Sequence, residues 1–377
     1  MSKFNTIIFV SAFLTERVES FAEAIYLCSG NRPHLITLIP PGPDTTLDNF
    51  ESHRTVKILD LCTTLTTFQP CIVHNFTKVM DITTLELLKA GIPFHYDYKD
   101  IFFHHWIVDY PEMETHRLLW KAILERRIPI SYRDGQARRA TSFLGRDQFE
   151  GYYVPEFVTV EQHAENKKVR EPYPGLNRKK DVVFIGNFSL ETVTPEQAGL
   201  GQLPIATTLT SQGIKYTMFP RQTSARSADD FSLYYQLASS TDLFVMNSTL
   251  PRKDLHKQLR FFGWGAILLP ISHFNSLASK TFAQLPFHGL PGRLADYLGS
   301  GLPVLVSGPD WPELNDLVES YGVGLNLYTD DLFELSSIIS HVDYSSLLKN
   351  VRSFVSDFLS PHKAGSVILT AYETYDY

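Results

Sequence analysis

Cysteine is scarce in this chain: three residues in 377, at Cys28, Cys62 and Cys71. Their number is odd and no Cys-x-x-Cys spacing occurs. Neither a disulfide framework nor a thiolate metal or redox site is expected, and the three read as reduced, buried thiols of a cytoplasmic protein. Positive charge is also short. There are 34 Lys and Arg against 41 Asp and Glu, a formal net charge of -7, which speaks against a general nucleic-acid binder. No apolar run approaches the ~20 residues that cross a bilayer. The opening MSKFNTIIFVSAF runs straight into a buried-strand pattern and lacks the small-residue cleavage site of a signal peptide. Internal repeats and low-complexity tracts are missing as well.

What is there is ordinary globular material, 44% hydrophobic and 20% charged. The length suits about two domains of roughly 150–200 residues each. In the first half, strands are expected at 6–12, 34–39, 56–60, 71–74, 93–97, 128–132 and 152–154. Helical patterns such as 16–28, 83–90 and 113–125 lie between them. The charged stretch 165–180, with its Pro and Gly, reads as a linker. Alternation resumes at 181–186 (DVVFIG), with further strands at 215–219, 243–246, 266–270, 303–307 and 324–327. Helices are expected at 229–239, 253–262, 291–300, 312–321 and 331–341. Residues 344–377 read as helical with a break near Pro361. Strand–helix alternation with short connections predicts parallel sheets covered on both faces.

The densest chemical signal is residues 286–301, PFHGLPGRLADYLGSG, followed at once by a β-branched strand. A helix is expected to start near Pro291, carry Asp296 and stop at Gly301, with proline near its start and glycine just past its end. The Gly289 loop offers backbone N–H groups at a helix N-terminus, where the dipole favours an anion. Asp296, an acceptor when ionised, suits a ribose diol. Phosphate plus ribose means a nucleotide.

This segment resembles the donor-binding signature of the GT-B glycosyltransferases. Within them it is similar to the family 4/1-like group with a Glu-x7-Glu pattern and a common variant PxKxxEYLAxGxPVV. Pro291-Gly-Arg293-Leu-Ala-Asp296-Tyr297-Leu298-Gly-Ser-Gly301-Leu-Pro303-Val304 follows that variant. Asp296 takes the place of the second Glu, and His288 the place of the first.

The resemblance implies an α/β GT-B fold, two Rossmann-like domains with parallel sheets facing across a cleft. The N-terminal acceptor-binding domain would be 1–165, the linker 166–180 and the nucleotide-sugar-binding domain 181–345. Helices in 346–377 would pack back toward the first domain. It implies a hexosyltransferase that moves a sugar from a nucleoside-diphosphate sugar, UDP- or GDP-linked, to a hydroxyl of a glycan or lipid-linked glycan in polysaccharide biosynthesis. No metal, separate cofactor or nucleic-acid partner is expected. The location would be cytoplasmic, with contact to the inner face of the membrane. A sugar-nucleotide epimerase and a non-catalytic nucleotide-sugar-binding protein are the alternatives.

Residue by residue, the resemblance implies nucleotide contacts at Asp296, Arg293, Gly289, Leu290 and Pro291, with Gly186 and Asn187 in the first loop of the second domain. That loop has the expected glycine but no arginine. Arg221 is the first candidate for the leaving phosphates, ahead of Arg252 and Lys253. His288 would stand beside the donor sugar or its β-phosphate. On the acceptor side, Asp100 falls just beyond a strand end and would serve an inverting reaction as general base. His74, in IVHNF, is expected to end a strand and line the site. The basic, aromatic stretch 117–139 reads either as a surface for a lipid-linked acceptor or as a solvated helix face.

Overall fold

The computed structural model describes residues 6–42, 47–68, 71–76, 82–98, 114–144, 150–167, 178–186, 202–220, 232–268, 290–307, 311–328 and 330–374. The chain forms two compact units, one of residues 1–160 with 359–377 and one of residues 161–358.

Seven strands build the first unit's sheet: β1 (Ile7–Ser11), β2 (His34–Thr37), β3 (Ser52–Thr55), β4 (Ile72–Phe76), β5 (His95–Tyr98), β6 (Ile130–Tyr132) and β7 (Tyr152–Tyr153). All are parallel, in the order β3-β2-β1-β4-β5-β6-β7. The helices α1 (Glu16–Ser29), α2 (Leu61–Thr66), α3 (Ile82–Ala90), α4 (Glu114–Glu125) and α5 (Gln136–Phe143) alternate with them, and α6 (Val160–Lys167) follows at the unit boundary. Side chains of β1 alternate between two cores. Ile8 and Val10 join Val73, Tyr96 and Ile130, while Ile7 and Phe9 join Phe21 and Ile25 of α1. Burial on both faces explains why this strand reads as an unbroken apolar run. α1 starts at Thr15, whose hydroxyl accepts from Val18 N–H at 3.3 Å. It carries Glu16 and Glu19 in its first turn and ends on the left-handed Gly30.

The second unit's sheet contains β8 (Asp181–Gly186), β9 (Lys215–Pro220), β10 (Phe244–Met246), β11 (Trp264–Leu268), β12 (Val304–Ser307) and β13 (Gly324–Asn326). It is also parallel, in the order β10-β9-β8-β11-β12-β13. Its helices are α7 (Leu203–Ser211), α8 (Ser232–Ser240), α9 (Arg252–Leu259), α10 (Arg293–Gly299), α11 (Pro312–Tyr321), α12 (Leu335–His341) and α13 (Tyr344–Asp357). The last helix, α14 (Pro361–Thr374), belongs to the first unit. Its Ala364, Ile368 and Tyr372 share a core with Val18, Phe21 and Ile25 of α1, and Cys28 Sγ donates to His362 O at 3.3 Å. Among the described residues no helix is long and apolar enough to cross a membrane.

Some local expectations need correction. No strand occupies 56–60: the third strand is Ser52–Thr55, and Ile58–Asp60 is a single 3-10 turn. β3 is an edge strand of sequence SHRT, with no apolar signature. Val56 and Ile58 reach the core from the connection after it. The helix expected over 331–341 is a 3-10 turn, Asp331–Phe333, and then α12, broken at Glu334, whose φ of -118° and ψ of 13° depart from the helical values. The Thr-rich helices α2 (LCTTLT) and α7 (LPIATTLTS) form against weak local propensity because their apolar residues are buried. Residues 168–177, within the expected linker, lie outside the described residues.

Candidate functional site

In the second unit the strand order grows outward from β8 in one direction and then restarts at β11 on its other side. Such a switch point leaves a crevice at the carboxyl ends of the two strands, where open α/β sheets bind ligands. β8 and β11 pair at Val182–Trp264 and Val183–Gly265. One step further, the phenol of Tyr297 on α10 stands between them. It accepts from Ile185 N–H at 2.9 Å and donates to Ala266 C=O at 3.1 Å. The Tyr297 ring is seated on Gly265, where any Cβ would overlap it. Burial holds this phenol protonated, far above the ordinary tyrosine range, with the Arg293 charge opposing. Replacing Tyr297 with Phe leaves two buried backbone groups unpaired, at a cost of about 2–4 kcal/mol. Urea unfolding at neutral pH measures it, and an unchanged midpoint would contradict the wedge role.

The first turn of α10 carries Arg293 onto the end of β8. The guanidinium lies 4.6 Å above the Phe184 ring, and its Nη2 is 3.5 Å from where a Gly186 Cβ would sit. Gly186 ends β8 at φ +107°, a conformation that glycine holds and side-chain-bearing residues rarely do. Bare backbone beside a cation, at the carboxyl end of a switch-point strand, suits an approaching anion.

One turn along α10, Asp296 accepts a hydrogen bond from His256 Nε2 of α9 at 2.9 Å. The Asp296 side chain is 15% exposed and that of His256 8%. Helix α6 braces this pair. Its Glu165 is ion-paired with Arg260, just past α9. Its Asn166 donates to Gly299 O at the end of α10 and to Gln162 O at 3.0 Å. A carboxylate offers about four acceptor sites, so the bond from His256 does not exhaust it. Cation and hydroxyl acceptor thus sit on successive turns of one short helix.

Of the residues singled out from sequence, Gly186, Arg293 and Asp296 gather here, with Leu290 buried and Pro291 just ahead of α10. Asp100, Asn187, Arg221, His288 and Gly289 lie outside the described residues. His74 does not end its strand, because β4 continues to Phe76. Its ring is fully buried in the first unit, stacked on Phe76 at 4.4 Å and 4.7 Å from His95. Its Nδ1 is 2.5 Å from the Tyr372 hydroxyl. Nearby, Arg17 forms a buried bidentate pair with Asp97, at 2.7 and 2.8 Å. In the basic stretch, Trp120 is buried, Arg117 pairs with Glu114 on its own helix and Lys121 lies near Glu125, the pattern of a solvated helix face. Sequence reasoning gave no role to His256 or Tyr297. The available signal for His256 was a lone imidazole beside Leu255 and Leu259 on an otherwise charged helix, RKDLHKQL.

No family model matches the chain, and no curated protein matches it in sequence. Solved structures do match it, over nearly its whole length. HepE of Anabaena in complex with UDP covers 98% of this chain with 100% of its own, at 12% identity and a TM-score of 0.67. Sucrose-phosphate synthase of Thermosynechococcus elongatus covers 98% with 99% of its own, at 13% identity and 0.67. A putative UDP-N-acetylglucosamine 2-epimerase of Listeria monocytogenes covers 100% with 98% of its own, at 11% identity and 0.60. At such identities the likeness is one of fold. The chain has the GT-B fold, two α/β units each built on an all-parallel sheet.

Proposed function

We propose that this protein is a glycosyltransferase that takes a sugar from a UDP-sugar and passes it to a hydroxyl of a glycan or lipid-linked glycan. The observation that carries the proposal is Arg293 and Asp296 on one short helix at the switch-point end of β8. The choice of UDP is supported by structures of the same fold: HepE holds UDP, and an Escherichia coli trehalose-6-phosphate protein holds UDP-2-fluoro glucose. In this scheme Asp296 accepts from the ribose hydroxyls and Arg293 faces the diphosphate. The anomeric C–O bond to the β-phosphate breaks, UDP departs with the electron pair, and the acceptor oxygen bonds to the anomeric carbon. Arg293 offsets the charge that builds on the leaving phosphate. The acceptor proton goes to Asp100 if configuration inverts, or to the departing phosphate if it is retained. Work in the cytoplasm, at the inner membrane face when the acceptor is lipid-linked, follows from such a donor and acceptor.

Thermal melting with UDP, GDP, ADP, CMP and TDP tests the donor site. At 100 times its Kd a ligand stabilises the native state by about 2.7 kcal/mol, a rise of roughly 5–10 °C for units of this size. UDP is expected to give that rise. No shift with any nucleotide would overturn the proposal. Product analysis with UDP-sugars then separates transfer to an acceptor from epimerisation of the donor, the chemistry named for the Listeria protein.

A further inference from the structure

We propose that His256 is a positioning residue for the nucleotide: it holds the Asp296 carboxylate in the orientation that receives the ribose hydroxyls. The inference rests on the function proposed above and adds a residue that function does not by itself require. Half of α9 is charged, RKDLHKQL, yet His256 turns inward and is only 6% exposed. A buried imidazole N–H needs an acceptor, and this one is given to Asp296 at 2.9 Å.

Asp296 is placed to gain from the bond. It is exposed enough to meet a ligand, and without a fixed partner its carboxylate would lose rotamer freedom on binding. A donor set in advance removes that loss from the binding step. The approach of α9 to α10 is held independently, through Arg260 with Glu165 and Asn166 with Gly299 O. The pair distance therefore does not depend on the ligand. On α10, Arg293 and Tyr297 flank Asp296 and have partners of their own, Phe184 for one and the β8 and β11 backbones for the other. Within this geometry His256 donates directly to the carboxylate and fixes one of its oxygens.

The test is calorimetric titration of the full chain with UDP and with 2′,3′-dideoxy-UDP, which lacks the hydroxyls Asp296 would accept from. The wild type is expected to prefer UDP. His256→Ala should weaken UDP binding about tenfold and dideoxy-UDP binding by less than about twofold. His256→Gln, whose amide can still donate to Asp296, should restore UDP to within about threefold of wild type. If the alanine variant does not fold, His256→Asn, polar but too short to reach Asp296, carries the same two-ligand comparison. Equal losses for both nucleotides, or unchanged UDP affinity, overturn the positioning role while the donor site stands. A wild type that binds no UDP overturns the function and this inference together.

Discussion

Asp296→Ala is expected to abolish stabilisation by UDP while the protein stays folded. Two ribose hydroxyls donating to one carboxylate are worth about 3–6 kcal/mol together, so affinity should fall by more than about 100-fold. The structural cost is smaller. Asp296 is partly exposed on a helix whose packing face is Leu294, Ala295, Tyr297 and Leu298. Its removal leaves His256 Nε2 without this acceptor, about 1–3 kcal/mol. Asp296→Asn keeps the shape and one acceptor oxygen and should lie between. Calorimetry of both variants, with melting curves to show that they fold, decides the matter. A folded alanine variant with wild-type affinity would remove Asp296 from the site.

A steep loss of stability is expected as pH falls below about 6.5, the ordinary value for histidine. It arises in the first unit, in its buried histidine cluster. His74 and His95 are both fully buried. Burial depresses both rings well below that value, aided by the Arg17 charge at His74 and by His74 itself at His95, where Asp97 opposes. Each ring uses one nitrogen, toward Tyr372 and toward Ser131. The other, His74 Nε2 and His95 Nδ1, has no hydrogen-bond partner among the described residues. A second proton on His74 would make a buried cation close to Arg17, and one on His95 a buried cation beside His74.

The folded state therefore keeps these rings neutral while the unfolded chain takes up protons, so stability rises with pH across this window. Their contribution is complete above about pH 6.5 and is lost on acidification, at about 1.4 kcal/mol per pH unit for each ring until its folded pKa is reached. His34 and His53 are lowered in the same direction but are partly exposed and add less. Urea midpoints from pH 8 to pH 5 should be flat at the alkaline end and fall steeply below 6.5. A His74→Leu, His95→Leu double variant should be less stable at pH 8 yet show a much shallower fall. An identical slope in that variant would place the acid sensitivity elsewhere.

The sequence disclosed most where burial is two-sided. Strands such as Ile7–Ser11 and Trp264–Leu268 are wholly buried and read as apolar runs, and their spacing implies the parallel sheets. It disclosed least where a partner lies far along the chain. His74 looks like a strand end because His-Asn follows Ile-Val. In the fold, Asn75 is satisfied by Thr83 and Thr84, while the partner of His74 is Tyr372, 298 residues away. β3 hid for the opposite reason, since an edge strand needs no apolar face. Around α10, the position of Asp296 on a helix was legible from proline, glycine and periodicity. Its bond to His256, across 40 residues, was not. The switch-point wedge was likewise hidden, because Tyr297 looks like any core aromatic until the strand order is known.

The return of α14 to α1 has a consequence for biosynthesis. Residues 30–360 separate the two helices, roughly 15–70 s of chain elongation. Throughout that interval Phe21, Ile25 and their neighbours on α1 have yet to receive Ile368 and Tyr372. The first unit's core can therefore be completed only after every strand of the second unit has been synthesised, and until then the apolar face of α1 lacks its last covering helix.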